Sequence, residues 1–373
     1  MKWIKILFAV FFTILCFAFS AQAEEIYDEQ HSAVDTDSIY NALTDEAKDF
    51  LDSFGMDFSE SDWYEGITYK SVFERIIDIF KGSLKEPLKC SVSAAAILLL
   101  SAAVKSLADE KEELNYAVNI ISVLGLCICF GIPVCSLIAS VNGALKGSSV
   151  FMLAFVPVFC GILLLSGFAA VSATSSGILL FAAETVGAAS SFVIAPAVSS
   201  CLALGISSAI SPLGGARKTV EILKKAVIWG LSTVSAVFSA VLSAGAALGS
   251  ASDKLTLKTA KLFTSSVVPV VGGAISESLS AVAASFSLLK TSVGLMGVVG
   301  IAAIFLPIII EISVFKFCSL AVEIFASLLG LEEPALVVRS VSGALTLMIA
   351  VSLLIALLFI ISLAVLIKVG GAV

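Results

Sequence analysis

The sequence predicts an all-α, polytopic helical membrane protein with a small acidic helical N-terminal segment, and three observations predict it. Hydrophobic residues make up 59% of the chain and charged residues only 14%, whereas a soluble domain is nearer half apolar and a quarter charged. The apolar residues come in long continuous runs, and in lipid such runs satisfy their own backbone groups only as helices; a membrane β-barrel would need short alternating segments. Charge is also segregated. Glu24 to Lys89 holds 17 acidic and six basic residues, a net of −11, against −7 for the whole chain, so the remainder carries +4. This asymmetry disfavours nucleic acid as a partner.

Residues 1–23 read as a cleaved secretory signal peptide. Lys2 and Lys5 form a positive start, Ile6 to Phe19 an apolar stretch, and Ala21, Gln22 and Ala23 a small-residue cleavage motif. The alternative is an uncleaved first span, for which the apolar stretch is short.

Residues 24–87 form the acidic extracytoplasmic segment. From Ser38 an amphipathic pattern sets in, with Ile39, Leu43, Phe50, Leu51 and Phe54 apolar among acids, and Gly55 ends that helix. Tyr69 to Leu84 repeats the pattern through Val72, Phe73, Ile76, Ile77 and Phe80. Two readings stand level for this stretch: a helix lying on a membrane or partner, or half of a hairpin with its own minor core.

Residues 88–373 form the multi-span membrane domain. Candidate spans fall at about 90–108, 116–140, 149–172, 177–211, 226–249, 264–289, 292–311, 313–330 and 341–367, which gives seven to nine crossings. The run 177–211 outlasts one simple span and contains Pro196, so it is one broken helix or a re-entrant pair. Pro133, Pro157, Pro269 and Pro307 mark further breaks. Signal cleavage places residue 24 outside, and the first span then brings Lys105 and Lys111 to the cytoplasm, as the positive-inside preference asks. The stretch 226–249 lies between two basic clusters, Arg217, Lys218, Lys224 and Lys225 on one side and Lys254, Lys258 and Lys261 on the other. One full crossing there breaks the preference.

Small residues recur at helical spacing. Ala236, Ala240 and Ala244 repeat every four residues, as do Ser235, Ser239 and Ser243, and Gly294, Gly297 and Gly300 every three. Such rows let a second backbone approach closely, within one subunit or between subunits. Glu184, Glu277, Glu311, Lys316 and Glu323 interrupt apolar runs. Charge at membrane depth is costly and faces a partner or a wet cavity, which makes Glu184 and Glu277 the candidate intramembrane polar or pore positions. Glu311 and Lys316, five apart, fit a membrane boundary.

Enzyme signatures are missing, and no cofactor or metal site is expected. His31 is the one histidine. No phosphate-binding G-x-x-x-x-G-K-[ST] loop, H-E-x-x-H or G-x-S-x-G occurs. Eight cysteines are spread through apolar runs, where they behave as small hydrophobes, and none pairs within the acidic segment.

One stretch is more specific. Leu255, Thr256, Leu257, Lys258, Thr259, Ala260 and Lys261 make a short amphipathic step. It leads through Val267, Val268, Pro269, Val270, Val271, Gly272 and Gly273 to Ala274, Ile275, Ser276, Glu277 and Ser278, then Leu288, Leu289 and Lys290, then Val293, Gly294, Leu295, Met296 and Gly297. This order, with the signal peptide, outer segment and small-residue spans before it, resembles the stage III sporulation protein AE family. The resemblance covers the layout of nearly the whole chain and the motifs of residues 250–300. It implies a multi-pass component of the mother-cell membrane around the forespore, part of a secretion-like channel complex required for endospore formation. The partners it implies are other membrane proteins of the same operon, a secretion-type ATPase and ring-forming proteins; a homo-oligomer is also compatible. It carries no catalytic residues. The alternative function is a secondary transporter or permease for a small solute, built on broken helices with buried charge.

Overall fold

The computed structural model describes residues 36–56, 69–107, 112–210, 215–267 and 272–368, with the side chains of residues 36, 69–73, 112, 209–217 and 254–291 left aside. The expected signal peptide, His31, Pro269 and the side chain of Glu277 therefore lie outside the described residues.

The described residues form helices joined by short turns and connections, with no strand among them. Helices α1 (Thr36–Asn41), α2 (Asp45–Asp52) and α3 (Tyr69–Gly82) precede α4 (Lys85–Leu107), α5 (Glu112–Leu165), α6 (Ala169–Ala189), α7 (Ala195–Ile210), α8 (Gly215–Val267), α9 (Gly272–Leu328) and α10 (Glu332–Lys368). Six stretches are long and apolar enough to cross a membrane: Lys85–Leu107, Glu113–Leu165, Ala169–Ser208, Lys218–Asp253, Ser292–Leu328 and Glu332–Lys368.

Among the described residues there are six candidate spans, where the sequence pattern pointed to seven to nine crossings; the side chains of the expected run 264–289 lie outside the described residues, and other expected neighbours fuse. The run 116–140 and the run 149–172 as far as Leu165 are joined in α5 without a break near residue 145, and residues 169–172 belong to α6. The reason is packing: Val141, Ala144, Leu145 and Ser148 are all buried, a spacing of three and four that carries one inward helical face straight through the polar step. Pro133 and Pro157 both lie inside α5, and Pro307 inside α9. At about 1.5 Å per residue, α5, α8 and α9 each extend roughly 80 Å, well beyond one hydrocarbon core of about 30 Å.

Pro196 does mark a break, and of the two readings for 177–211 the structure shows the broken helix. Residues Ser190–Ile194 form a π-helical turn between α6 and α7. Pro196 has no N–H to offer the carbonyl of Phe192, and its ring crowds that carbonyl; the wider turn absorbs both effects.

Three helix ends share one device. Gly55, Gly167 and Gly330 have φ of 68°, 87° and 69°, a left-handed conformation that glycine adopts without a Cβ penalty. At each, the next N–H reaches back to a carbonyl of the last turn: Met56 to Leu51 at 3.2 Å, Phe168 to Leu163 at 2.9 Å and Leu331 to Ala326 at 3.1 Å. Met56, Phe168 and Leu331 are buried, which supplies the apolar contact that accompanies this cap.

Helices α9 and α10 form the centre: 89% and 83% of their most apolar windows is buried, against 6% for α8. Helix α5 packs along α9, α10 and α6, while α4 lies on α5 and α9. The acidic N-terminal helices join this body. Thr44 caps α2 by accepting from the Ala47 N–H at 3.3 Å, α1 touches α5, and α2 packs on α9. Ile39, Leu43, Ala47, Phe50, Leu51 and Met56 are buried in the same continuous cluster as the long helices. Helix α3 also rests on α9, with Ile76 and Ile79 half-buried against the cluster and Phe80 exposed.

Candidate functional site

The most specific constellation is a packing seam between α5, α9 and α10. Phe151, Phe155 and Phe159 recur every four residues on α5 and are completely buried. Their rings stack in series, with centroids 5.7 Å and 5.5 Å apart and planes 21° and 19° from parallel. Opposite them, Gly300, Gly297 and Gly294 run antiparallel on α9. A Cβ at Gly300 would fall 2.5 Å from Phe151 Cζ, one at Gly297 2.5 Å from Phe155 Cζ, and one at Gly294 3.2 Å from Phe159 Cε2. Helix α10 closes the third side, for the same Cβ positions at Gly294 and Gly297 would meet Ile367 and Leu363. Spacing of three on one helix and four on the other lets each ring occupy the gap above a glycine.

A second constellation ties α8 to α6. Asp253, buried near the end of the apolar part of α8, accepts from the Ala170 N–H at 2.9 Å and from the Val171 N–H at 3.1 Å, one carboxylate oxygen to each. These are first-turn donors of α6, whose own N-cap, Phe168, offers no side-chain acceptor. The carboxylate of another helix thus does the capping, helped by the positive end of the α6 dipole. Gly249, one turn earlier on α8, lets Val171 approach: a Cβ there would lie 3.0 Å from the Val171 nitrogen. Leu242, Ala246, Gly249 and Asp253 form the buried seam of α8.

Hydroxyl groups bridge other pairs. Ser149 on α5 donates to the Ala183 carbonyl on α6 at 2.7 Å, and Ser172 on α6 to the Cys160 carbonyl on α5 at 2.7 Å. Ser122 on α5 meets Ser101 on α4 at 2.5 Å. Glu323 on α9 accepts from Arg339 Nε on α10 at 2.8 Å, across the turn that joins them.

The candidate residues separate sharply by position. Gly294, Gly297 and Gly300 face inward, in the seam just described. Ala236, Ala240 and Ala244 are exposed on the outer face of α8, beside Trp229, Val234, Val237, Val241 and Leu248. Glu184 is exposed on α6 next to Phe181. Glu277 is carried on α9. Glu311 is exposed and Lys316 half-buried, also on α9. Both basic clusters lie on one continuous helix, α8, with Lys224 folded inward over Gly343 of α10.

A small apolar pocket lies beside the π turn, lined among others by Asn142, Ser190, Ile194, Val198 and Met348. Among the described residues, no three His, Cys, Asp or Glu side chains come together in a way that suits a metal ion. Asp253 and the phenylalanine ladder were not singled out by the sequence pattern. The ladder had a signal, three Phe at i, i+4 and i+8; Asp253 had only its place at the end of an apolar run, since its partners are more than 80 residues away.

No solved structure matches the chain. It is 28% identical over 155 residues to the stage III sporulation protein AE of Bacillus subtilis (strain 168), a match that covers 42% of this chain and 39% of that relative. The comparison thus spans about two-fifths of the relative's length. The family model for stage III sporulation protein AE matches residues 60–370, which takes in every long helix described above. The chain belongs to the stage III sporulation protein AE family.

Proposed function

We propose that this protein is a multi-pass component of the mother-cell membrane around the forespore, and that it forms or lines part of a secretion-like channel complex required for endospore formation. The observation that carries this reading is the family match over residues 60–370. In this reading the sheathed α9–α10 pair is the rigid frame of one subunit, and α8 is the face turned toward other subunits of the complex. The partners are further membrane proteins of the same operon, a secretion-type ATPase and ring-forming proteins, with a second copy of this chain compatible. The acidic N-terminal segment faces the space between the two membranes, where its charge steers a basic partner surface.

The outward face of α8 supports an assembly role. An apolar helix with a row of alanines on its exposed side gains nothing special from lipid tails, which pack against any apolar surface; a row of small side chains favours close approach by another helix. The reading is tested by deleting the gene in its own host and scoring heat-resistant spores. Counts collapse if it is right; a deletion strain with normal counts removes the sporulation role.

A solute transporter is the second reading, favoured by the π turn beside Pro196, since broken helices frame substrate sites in such proteins. Uptake of a labelled solute by the purified protein alone in liposomes would support it. The exposed position of Glu184 weighs against it.

A further inference from the structure

Helices α4 and α5 pack antiparallel along three levels. Ile97 lies against Gly125, where a Cβ would come within 3.3 Å of Ile97 Cδ1. Ser101 and Ser122 meet one turn further along. At the opposite end of this pairing, away from the connection between the two helices, Cys90 and Cys129 face each other with their sulfurs 3.4 Å apart. The approach is reciprocal: each thiol lies 3.2 Å from the backbone carbonyl oxygen of the other cysteine. Both are free thiols. Neither belongs to the packing seam or to the Asp253 cap.

We propose that Cys90 and Cys129 are a redox site that closes to a disulfide and staples the open end of the α4–α5 pair. The sulfurs need to approach by only about 1.3 Å to reach bonding distance, and two helices whose backbones already allow mutual thiol–carbonyl contact can supply that through side-chain rotation. Cys129 is less buried within the subunit than Cys90, and we take it as the thiol that meets the oxidant first.

The oxidant is a disulfide-bonded thiol compound, small or proteinaceous. The Cys129 thiolate attacks one of its sulfurs, forms a mixed disulfide and expels one thiolate, which takes up the proton Cys129 gave up. The Cys90 thiolate then attacks Cys129 Sγ and expels the second. Two cysteine thiols and one external disulfide become one internal disulfide and two external thiols, with two electrons moved to the oxidant. Helix α4 opens at this end with Lys85 and Lys89, directly after the segment expected outside the cell, the side on which disulfides persist. The thiol chemistry itself does not depend on which complex the protein joins.

The test uses the full-length protein purified in mild detergent, reduced, freed of reductant, exposed to oxidised glutathione, then quenched with acid and alkylated. Peptide mass spectrometry should find a Cys90–Cys129 linked peptide at least about tenfold above the reduced control, in keeping with fast intramolecular resolution of a mixed disulfide. The link should vanish on reduction, be absent in C90S and C129S, and persist in C127S. Recovery of Cys129 only as its glutathione adduct, of both thiols free, or of Cys90 linked to a different cysteine would overturn it. Because the wild-type protein carries the main result, a misfolded variant does not mask the answer.

Discussion

Asp253 closes the amino end of a helix more than 80 residues before it in sequence, its carboxylate 3.1 Å from the Val171 N–H. A buried carboxylate of this kind has two oxygens and two backbone donors, the second being Ala170 at 2.9 Å. It holds α8, the least buried long helix, to the body at a defined height.

Asp253→Ala removes both acceptors and leaves one buried and one part-buried N–H group without them. The expected cost is about 1–2 kcal/mol, the range for losing a good N-cap, seen as a lower thermal midpoint in detergent. Asp253→Asn, which keeps one acceptor oxygen but loses the charge, should fall between wild type and Ala. Equal stability of Ala and wild type would show that the cap contributes nothing.

Gly297→Val tests the ladder. Its branched side chain has no room beside Phe155 and Leu363, so overpacking should cost roughly 1–3 kcal/mol. Combining it with Phe155→Leu should cost less than the sum of the two single changes, because each relieves the other. Additive costs would mean that the two positions do not touch.

Ala240→Phe on α8 should leave the melting of the isolated protein unchanged, since Ala240 is exposed in a single subunit. If α8 meets a partner, the bulk of the ring should weaken that contact and heat-resistant spore counts should fall at least about tenfold. Wild-type counts from this variant would remove α8 from the list of contact surfaces.

Gly147→Leu should lever α1 and α2 away from the body. Gly147 leaves space that Thr44 occupies, and α1 touches α5. Limited proteolysis should then cut within residues 36–56 several-fold faster than in wild type, through more frequent local opening. Unchanged cleavage would show that the N-terminal helices are held by α9 alone.

Arg339→Ala should be nearly silent, within about 0.5 kcal/mol. Its side chain is 65% exposed even though Glu323 is only 15% exposed, and solvent screens such a pair.

The helical class was legible because hydropathy is a local property. A run of apolar residues in lipid has one backbone solution, whatever surrounds it. The cap at Gly55 was legible for a similar reason: a glycine following an amphipathic stretch needs no distant partner to end a helix. Span boundaries were not. The polar step around Asn142 and Lys146 resembles a loop in composition, yet Val141, Ala144, Leu145 and Ser148 keep one buried face going, and tertiary packing rewards that face with contacts on both sides.

By itself the sequence determined that this protein is a bundle of apolar helices with rows of small residues, preceded by an acidic amphipathic segment. Only the tertiary structure decided which rows are interior. Gly294, Gly297 and Gly300 received the rings of Phe151, Phe155 and Phe159, while Ala236, Ala240 and Ala244 were left facing outward. A small side chain encodes that some backbone or ring can come close. Which one does is set by the register and crossing of helices far apart in the chain, and that information resides in no single segment.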